Sequence, residues 1–258
     1  MLRAQLDTYP ILEAFKSGDE CPFCFAMREL ERRSMEFVVG PSSTYMQRDT
    51  RALTDKAGFC RRHLKAMYDY GNFLGDALIL QTHQEKLWEE YKAKAAAYKP
   101  VRRGLFGLRK KEAGEEKAPE GPSDFSLWLR NRKKKCFLCN RVADSYDRYM
   151  ETFFYMLKDK DFRPVVEESK GFCLDHFGDV LEYAEKKLPD SLADWFYPTV
   201  FGIMEKNMER VKADLDWFIT KHDYRNHDAG WKTSRDAVPR MMEKLCGGHP
   251  SDPPLKGK

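Results

Sequence analysis

The chain has 258 residues, of which 42% are hydrophobic and 33% are charged. This composition is typical of a compact soluble protein built from amphipathic helices, with room for two modest domains or one large one. The formal net charge of +4 is too small to indicate a partner by itself. No stretch approaches the roughly 20 apolar residues of a membrane-spanning helix, so we expect no membrane partner.

The amino-terminal sequence indicates the cellular compartment in which we expect the protein. Residues 1–7 lack the apolar core of a secretory signal peptide. We therefore expect a cytoplasmic protein, where thiols stay reduced and closely spaced cysteines hold a metal more often than they form disulfides.

Helical periodicity dominates the chain, and almost no segment alternates as a strand does. The sequence therefore predicts an all-α fold of two helical repeats related by a pseudo-twofold axis. In chain order we expect helices over 25–39, 60–70, 76–98, 142–157, 173–187, 191–221 and 234–245, with polar loops after the first and fourth.

Composition divides the chain into four predicted segments. Residues 99–124 contain three prolines, four glycines and many charges, which is typical of a flexible linker. A first helical metal-binding repeat precedes the linker over 1–98, and a second follows over 125–222. The remaining residues, 223–258, form an extension with a short helix and a disordered tail.

The most specific signal is a cysteine and histidine pattern that occurs twice. In each copy a C-x2-C pair is followed, 36 or 34 positions later, by a C-x2-H pair that a Gly-Phe dipeptide introduces. Chance does not readily produce this order twice, so we interpret the chain as an internal duplication. The candidate metal ligands are Cys21, Cys24, Cys60 and His63 in the first copy, and Cys136, Cys139, Cys173 and His176 in the second.

Three thiolates and one imidazole are a complete four-coordinate donor set. Zinc, two ions per chain, is the expected metal, because it is tetrahedral and four protein ligands suit a structural site. An iron–sulfur cluster is the alternative, since thiolates also hold such clusters. We expect all four ligand pairs at helix N-termini, where the helix dipole stabilises thiolates.

The pairing of the motifs remains open at this level. Pairing within each repeat closes the shorter loop and is the favoured interpretation. The other arrangement joins Cys21 and Cys24 with Cys173 and His176.

The motifs resemble those of a bacterial family of unknown function that carries two Cys-Pro-x-Cys and Gly-Phe-Cys-x-x-His units, and the resemblance covers nearly the whole chain. It also includes the stretch 218–226. The second C-x2-C pair departs from the pattern, with Phe137 where the first has Pro22. The resemblance implies a similar helical metalloprotein and brings no established activity. Some members are labelled substrate-binding components of transporters, which are exported proteins, and we do not expect that role here.

Other candidate residues are weaker. His222 and His227 flank a charged cluster that is expected to be a polar cap of the preceding helix. Cys246 and His249 repeat the C-x2-H spacing without a partner pair, so Cys246 is interpreted as a surface thiol. The aromatic residues of 195–218 are typical of a core, although they can also line a small-molecule pocket.

Three classes of function follow. A zinc-stabilised helical scaffold, interaction or small-ligand-binding protein explains every strong motif, with an unknown protein or small molecule as partner. An iron–sulfur redox protein or enzyme is the second class, and its catalytic residues are unassigned. A nucleic-acid-binding protein is the third, and it rests on basic runs such as 130–135.

Overall fold

The computed structural model describes residues 7–41, 44–99 and 122–248. Within these ranges the chain is all-helical and contains no strand, which confirms the predicted fold class. The helices are α1 (Thr8–Lys16), α2 (Pro22–Val39), α3 (Arg48–Ala57), α4 (Arg61–Tyr70), α5 (Phe73–Ala96), α6 (Asp124–Lys133), α7 (Phe137–Met156), α8 (Arg163–Glu167), α9 (Leu174–Lys187), α10 (Asp190–Lys221) and α11 (Ala237–Cys246), with 3-10 turns at Thr44–Met46 and Tyr224–Asn226.

The helices with a strong apolar period lie close to their predicted ranges. α9 ends at Lys187, and α10 begins at Asp190, directly after Pro189. A proline disfavours helical backbone in the residue before it, which explains this boundary. Pro198, by contrast, lies inside α10 without ending it.

Four helices lack a sequence signal strong enough to predict them: α1, α3, α6 and α8. The clearest case is α3, whose buried side chains are the hydroxyl-bearing Thr50 and Thr54 rather than aliphatic residues. Its buried face therefore carries no aliphatic or aromatic residue, and its one large apolar side chain, Leu53, is exposed.

The chain forms two compact units. The larger unit comprises residues 7–33 and 142–248, and the smaller unit comprises 34–41, 44–99 and 122–141. Each unit thus draws on both halves of the sequence. This division differs from the predicted one, in which 1–98 and 125–222 each formed a separate repeat.

Aromatic side chains dominate the core of the larger unit. Phe15 stacks on Phe153 with ring centroids 5.1 Å apart, and Phe23 stacks on Phe172 at 5.9 Å. The core of the smaller unit is aliphatic and thioether-rich, with buried residues that include Met35, Val38, Met67, Ile79 and Leu138.

The predicted linker and tail fall mostly beyond the described ranges, at residues 100–121 and 249–258. The linker therefore stays a prediction, and so does the pseudo-twofold axis.

Candidate metal centres

Each of the four predicted ligand pairs lies at a helix start. Cys21 and Cys136 directly precede α2 and α7, while Cys60 and Cys173 are the N-cap residues of α4 and α9. The second ligand of each pair lies in the first helical turn. In all four cases the carbonyl of the first cysteine accepts the N–H of the residue four positions later, at 2.9–3.1 Å. The predicted placement at helix N-termini is confirmed.

Proline and glycine residues beside the ligands favour these helix starts. Pro22 is the first residue of α2, a position where a missing N–H costs nothing. Gly58 and Gly171 precede the two Phe-Cys dipeptides with φ of +66° and +78°. The backbone angle of Gly171 favours glycine, and a Cβ there would also lie 3.0 Å from the sulfur of Met204, which would have to shift by a few tenths of an ångström.

Four donors converge in the larger unit, at Cys21, Cys24, Cys173 and His176, here called the Cys21 centre. The Nδ1 atom of His176 lies 3.4 Å from the sulfurs of Cys21 and Cys24 and 3.2 Å from that of Cys173. The sulfurs of Cys24 and Cys173 are 3.7 Å apart.

The other four donors converge in the smaller unit, at Cys60, His63, Cys136 and Cys139, here called the Cys60 centre. The Nδ1 atom of His63 lies 3.4, 3.2 and 3.4 Å from the sulfurs of Cys60, Cys136 and Cys139. The sulfurs of Cys60 and Cys139 are 3.8 Å apart. A backbone bond joins the two helix starts, since Phe137 N–H donates to the Gly58 carbonyl at 2.8 Å.

The favoured pairing within each repeat is therefore wrong. Each centre combines a C-x2-C pair from one half of the sequence with a C-x2-H pair from the other. The prediction relied on loop closure, which depends only logarithmically on length. Joining Cys24 to Cys173, 149 positions away, rather than to Cys60, 36 positions away, costs only about 1.3 kcal/mol more. Burying Phe23 against Phe172, residues adjacent to two of the ligands, outweighs that difference.

Both donor sets fit a single tetrahedral ion. Metal–sulfur and metal–nitrogen lengths of about 2.3 and 2.05 Å place two sulfurs about 3.8 Å apart and a sulfur and a nitrogen about 3.5 Å apart. The observed separations agree within a few tenths of an ångström. All four donor atoms of each centre lie within 4.8 Å of one another. Each centre can therefore hold one metal ion with four protein ligands.

Charge is distributed unevenly within the Cys21 centre. Burial, and then contact with Cys173 and Cys24, raises the pKa of the Cys21 thiol well above its ordinary value. Hydrogen bonds from Cys21 and Cys24 lower the pKa of the Cys173 thiol. Burial opposes protonation of His176, but the neighbouring sulfurs outweigh it and raise the imidazole pKa to about 10. A dication would relieve this competition by stabilising every thiolate.

Charge is also distributed unevenly among the ligands of the Cys60 centre. Burial and the neighbouring Cys136 raise the pKa of the Cys139 thiol to about 12. Burial also acts to raise the pKa of Cys136, but hydrogen bonds from His63 and from backbone groups lower it to about 6. A cation bound by Cys60, Cys136 and Cys139 would stabilise all three as thiolates.

The two centres differ in how far their cysteines are shielded from solvent. Cys21, Cys24 and Cys173 are buried, whereas Cys60 and Cys139 are half-buried. At the Cys21 centre the chain after α11 packs on the ligands, and Gly248 N–H donates to the Cys24 sulfur at 3.4 Å. This contact was not predicted from the sequence, although Gly247-Gly248 lies between Cys246 and His249. No local signal indicates where that segment packs.

A buried charge network supports the start of α2 and was also missed. Glu20 precedes Cys21, is 3% exposed and accepts two bonds from Arg210 at 2.6 and 2.8 Å. Lys244 of α11 is fully buried and donates to the carbonyls of Glu20 and Lys170 at 2.6 and 2.5 Å. These contacts tie α10 and α11 to the residue that precedes the first ligand.

The weaker candidates behave as surface residues. His227 contacts Asp228 at 3.1 Å, and Arg225 pairs with Asp223 at 2.7 Å, beyond the end of α10. The expected polar cap is present, because Asn226 Nδ2 donates to the Thr220 carbonyl in the last turn of α10 at 3.0 Å. Cys246 is exposed, as expected for a surface thiol, and His249 lies outside the described residues.

The aromatic residues of 195–218 divide between core and surface. Phe196 is fully buried, whereas Phe201 is half-exposed. Trp195 and Tyr197 pack against the same core and are partly buried. Trp217 and Phe218 are also partly buried, so the core expected for these aromatic residues is fully confirmed only for Phe196.

Comparison with known proteins places the chain in a family without adding an activity. Among the described residues, no helix combines the length and apolar character needed to cross a membrane. Searches of curated proteins and of solved structures found no match. Residues 2–252 match the model of DUF6062, described as a family of unknown function, and the chain belongs to this family.

Proposed function

We propose that the protein is a cytoplasmic zinc-binding helical scaffold that presents a surface to a protein or small-molecule partner. Each Cys3His centre holds one structural zinc ion. The observation that carries the proposal is the spacing of the donors, 3.2–3.4 Å between nitrogen and sulfur and 3.7–3.8 Å between sulfurs.

Closed coordination supports a structural role. Four protein ligands fill the tetrahedral shell of zinc and leave no position for water or substrate. In an iron–sulfur cluster the four protein ligands are divided over two or four irons, which spreads the donors further apart than a single ion does. The compact spacing therefore favours a mononuclear ion over the iron–sulfur alternative.

The two motif copies also support an origin by internal duplication. Each copy supplies one ligand pair to each centre, so the copies are intertwined rather than separate. A zinc ion at each centre would fasten the two copies together, because its binding free energy contributes directly to folding.

Metal analysis of protein purified without oxygen tests the proposal. We expect two zinc ions per chain, a colourless protein, and replacement of both ions by Co²⁺ with the visible absorption of tetrahedral thiolate sites. A brown protein with iron and acid-labile sulfide would overturn it in favour of an iron–sulfur redox protein or enzyme. One zinc per chain would show that one of the two centres is not a metal site.

A further inference from the structure

A basic cleft lies in the smaller unit, apart from the metal ligands. It has a volume of about 310 Å³ and lies among α3, α5, α6 and the short segment before α7. That volume is at the lower end of the range for small-molecule sites. Four cationic side chains line it (Lys56, Lys86, Arg132 and Lys135), together with Asn131, the ring of Trp128 and one carboxylate, that of Glu90.

The single carboxylate is already engaged. Glu90 Oε2 accepts from the Trp128 indole at 3.2 Å and from Arg132 Nη1 at 3.3 Å. The three lysines contact no carboxylate among the residues that the structure describes. The side chains that line the cleft therefore carry four positive charges against one negative charge.

Arg132 is the residue that points to a ligand. Its side chain is 14% exposed, and its Nη2 atom is buried without a hydrogen-bond partner among the described residues. A buried guanidinium nitrogen without an acceptor is unfavourable, and native proteins rarely keep one without a reason. The same side chain lines the cleft, so a change of rotamer that turned Nη2 toward an anion there would supply the missing acceptor.

We propose that this cleft binds the phosphate ester of a small molecule. A phosphate dianion balances most of the excess charge, and its oxygens match the planar donors of Arg132 and the ammonium groups of the lysines. A carboxylate carries one charge and would leave more of the excess uncompensated. The organic part of the ligand contacts Trp128, whose ring is held by stacking on Phe125 at 5.7 Å.

The proposal gives a role to part of the basic run 130–135 and goes beyond the metal scaffold. Phosphate binding is argued only from the side chains of the cleft, so it can be tested independently of the zinc proposal. Zinc-loaded protein without phosphate binding would refute only the cleft, and phosphate binding by a protein with another metal would refute only the zinc assignment.

Calorimetric titration of the full-length, metal-loaded protein tests the cleft at constant ionic strength. The probes are inorganic phosphate, adenosine monophosphate, adenosine and a short RNA. We expect adenosine monophosphate to bind with a dissociation constant below about 1 mM, inorganic phosphate to bind more weakly, and adenosine not to bind. Absence of saturable binding by both phosphate probes would overturn the proposal.

Variants assign the binding to these side chains. Arg132→Gln and Lys86→Gln should each weaken adenosine monophosphate binding by about tenfold or more, because each removes a charge-assisted bond. Lys92→Gln, on an exposed position of the same α5, should stay within about twofold of the unsubstituted protein. Lys86 is exposed, so its variant stays informative if Arg132→Gln disturbs the fold. Melting temperature and zinc content accompany each titration.

Two further outcomes count against the cleft. Equal binding by Lys86→Gln and Lys92→Gln would place the phosphate elsewhere. Binding of the RNA alone, with an affinity that falls steeply with salt, would identify a nucleic-acid surface instead.

Discussion

At the scale of single residues, the assignment of the two metal sites depends on the individual cysteine and histidine ligands. Six of the seven cysteines lie in the two centres, and the seventh, Cys246, is exposed and outside both. This arrangement supplies its own control, because the same substitution can be made inside and outside a centre.

Cys173→Ser should reduce the zinc content from two ions to one and lower the free energy of unfolding by about 3 kcal/mol or more, because a structural metal contributes directly to folding. Cys60→Ser should remove the other ion. Elemental analysis and urea unfolding measure both effects. Cys246→Ser is the matched control and should keep two ions and full stability. A folded Cys173→Ser protein with two tightly bound ions would contradict the structural role.

Metal binding should depend on pH in a defined direction. The pKa values of about 12 for Cys139 and about 10 for His176 mean that both groups carry a proton at pH 7. A metal must displace that proton to bind, so lowering the pH opposes binding. The apparent zinc affinity of each centre should therefore rise about tenfold per pH unit for each proton displaced.

Titration in zinc buffers at pH 6.5 and 7.5 measures this dependence. Proton release can be counted independently by calorimetry in two buffers with different ionisation enthalpies. Equal zinc affinity at the two pH values would show that the ligands are already deprotonated before the metal binds.

At the scale of elements, Gly171 allows the chain before α9 to pass close to Met204 of α10. Gly171→Ala should destabilise the protein by about 1–3 kcal/mol, because alanine is strained at a φ of +78° and its Cβ would lie 3.0 Å from the Met204 sulfur. Gly178, inside α9 with open space around it, is the control. Gly178→Ala should be neutral or stabilising by up to about 1 kcal/mol. Thermal unfolding compares the two, and equal losses would contradict the backbone argument.

Packing of the helices over the centres should set how fast each metal leaves. Cys60 and Cys139 are half-buried, whereas the Cys21 centre has three buried cysteines and the Gly248 contact. A chelator should therefore remove zinc faster from Cys173→Ser, which retains only the Cys60 centre, than from Cys60→Ser, which retains only the Cys21 centre. Stopped-flow detection of released zinc measures both rates. The reverse order would show that burial does not control access.

The helices themselves differ in how far the sequence predicts them. α2, α9 and α10 carry apolar residues at helical spacing, and their ranges follow from that period. α3 does not, because its buried face consists of Thr50 and Thr54. Hydroxyl side chains on the inward face give no hydrophobic signal, so the apolar pattern of the sequence does not mark this segment as a helix.

The exchange of motifs between the two halves is a property of the whole molecule, and double variants can test it by counting ions. If Cys21 and Cys173 bind the same ion, Cys21→Ser with Cys173→Ser should lose one zinc. If Cys21 and Cys60 bind different ions, Cys21→Ser with Cys60→Ser should lose two. Zinc content per folded chain is the measurement. Pairing within each repeat predicts the opposite result for both combinations.

The sequence alone determined the fold class, the eight candidate ligands and their place at helix starts. These properties depend on short-range features, namely helical periodicity, a proline or glycine at a turn, and donors three residues apart. The tertiary structure alone decided which pairs meet, how the chain divides into compact units, and where the basic cleft forms. Loop closure separates the two pairings by only about 1.3 kcal/mol. Burial of aromatic residues such as Phe23 and Phe172, which are distant in sequence, is larger than that difference and determines the pairing.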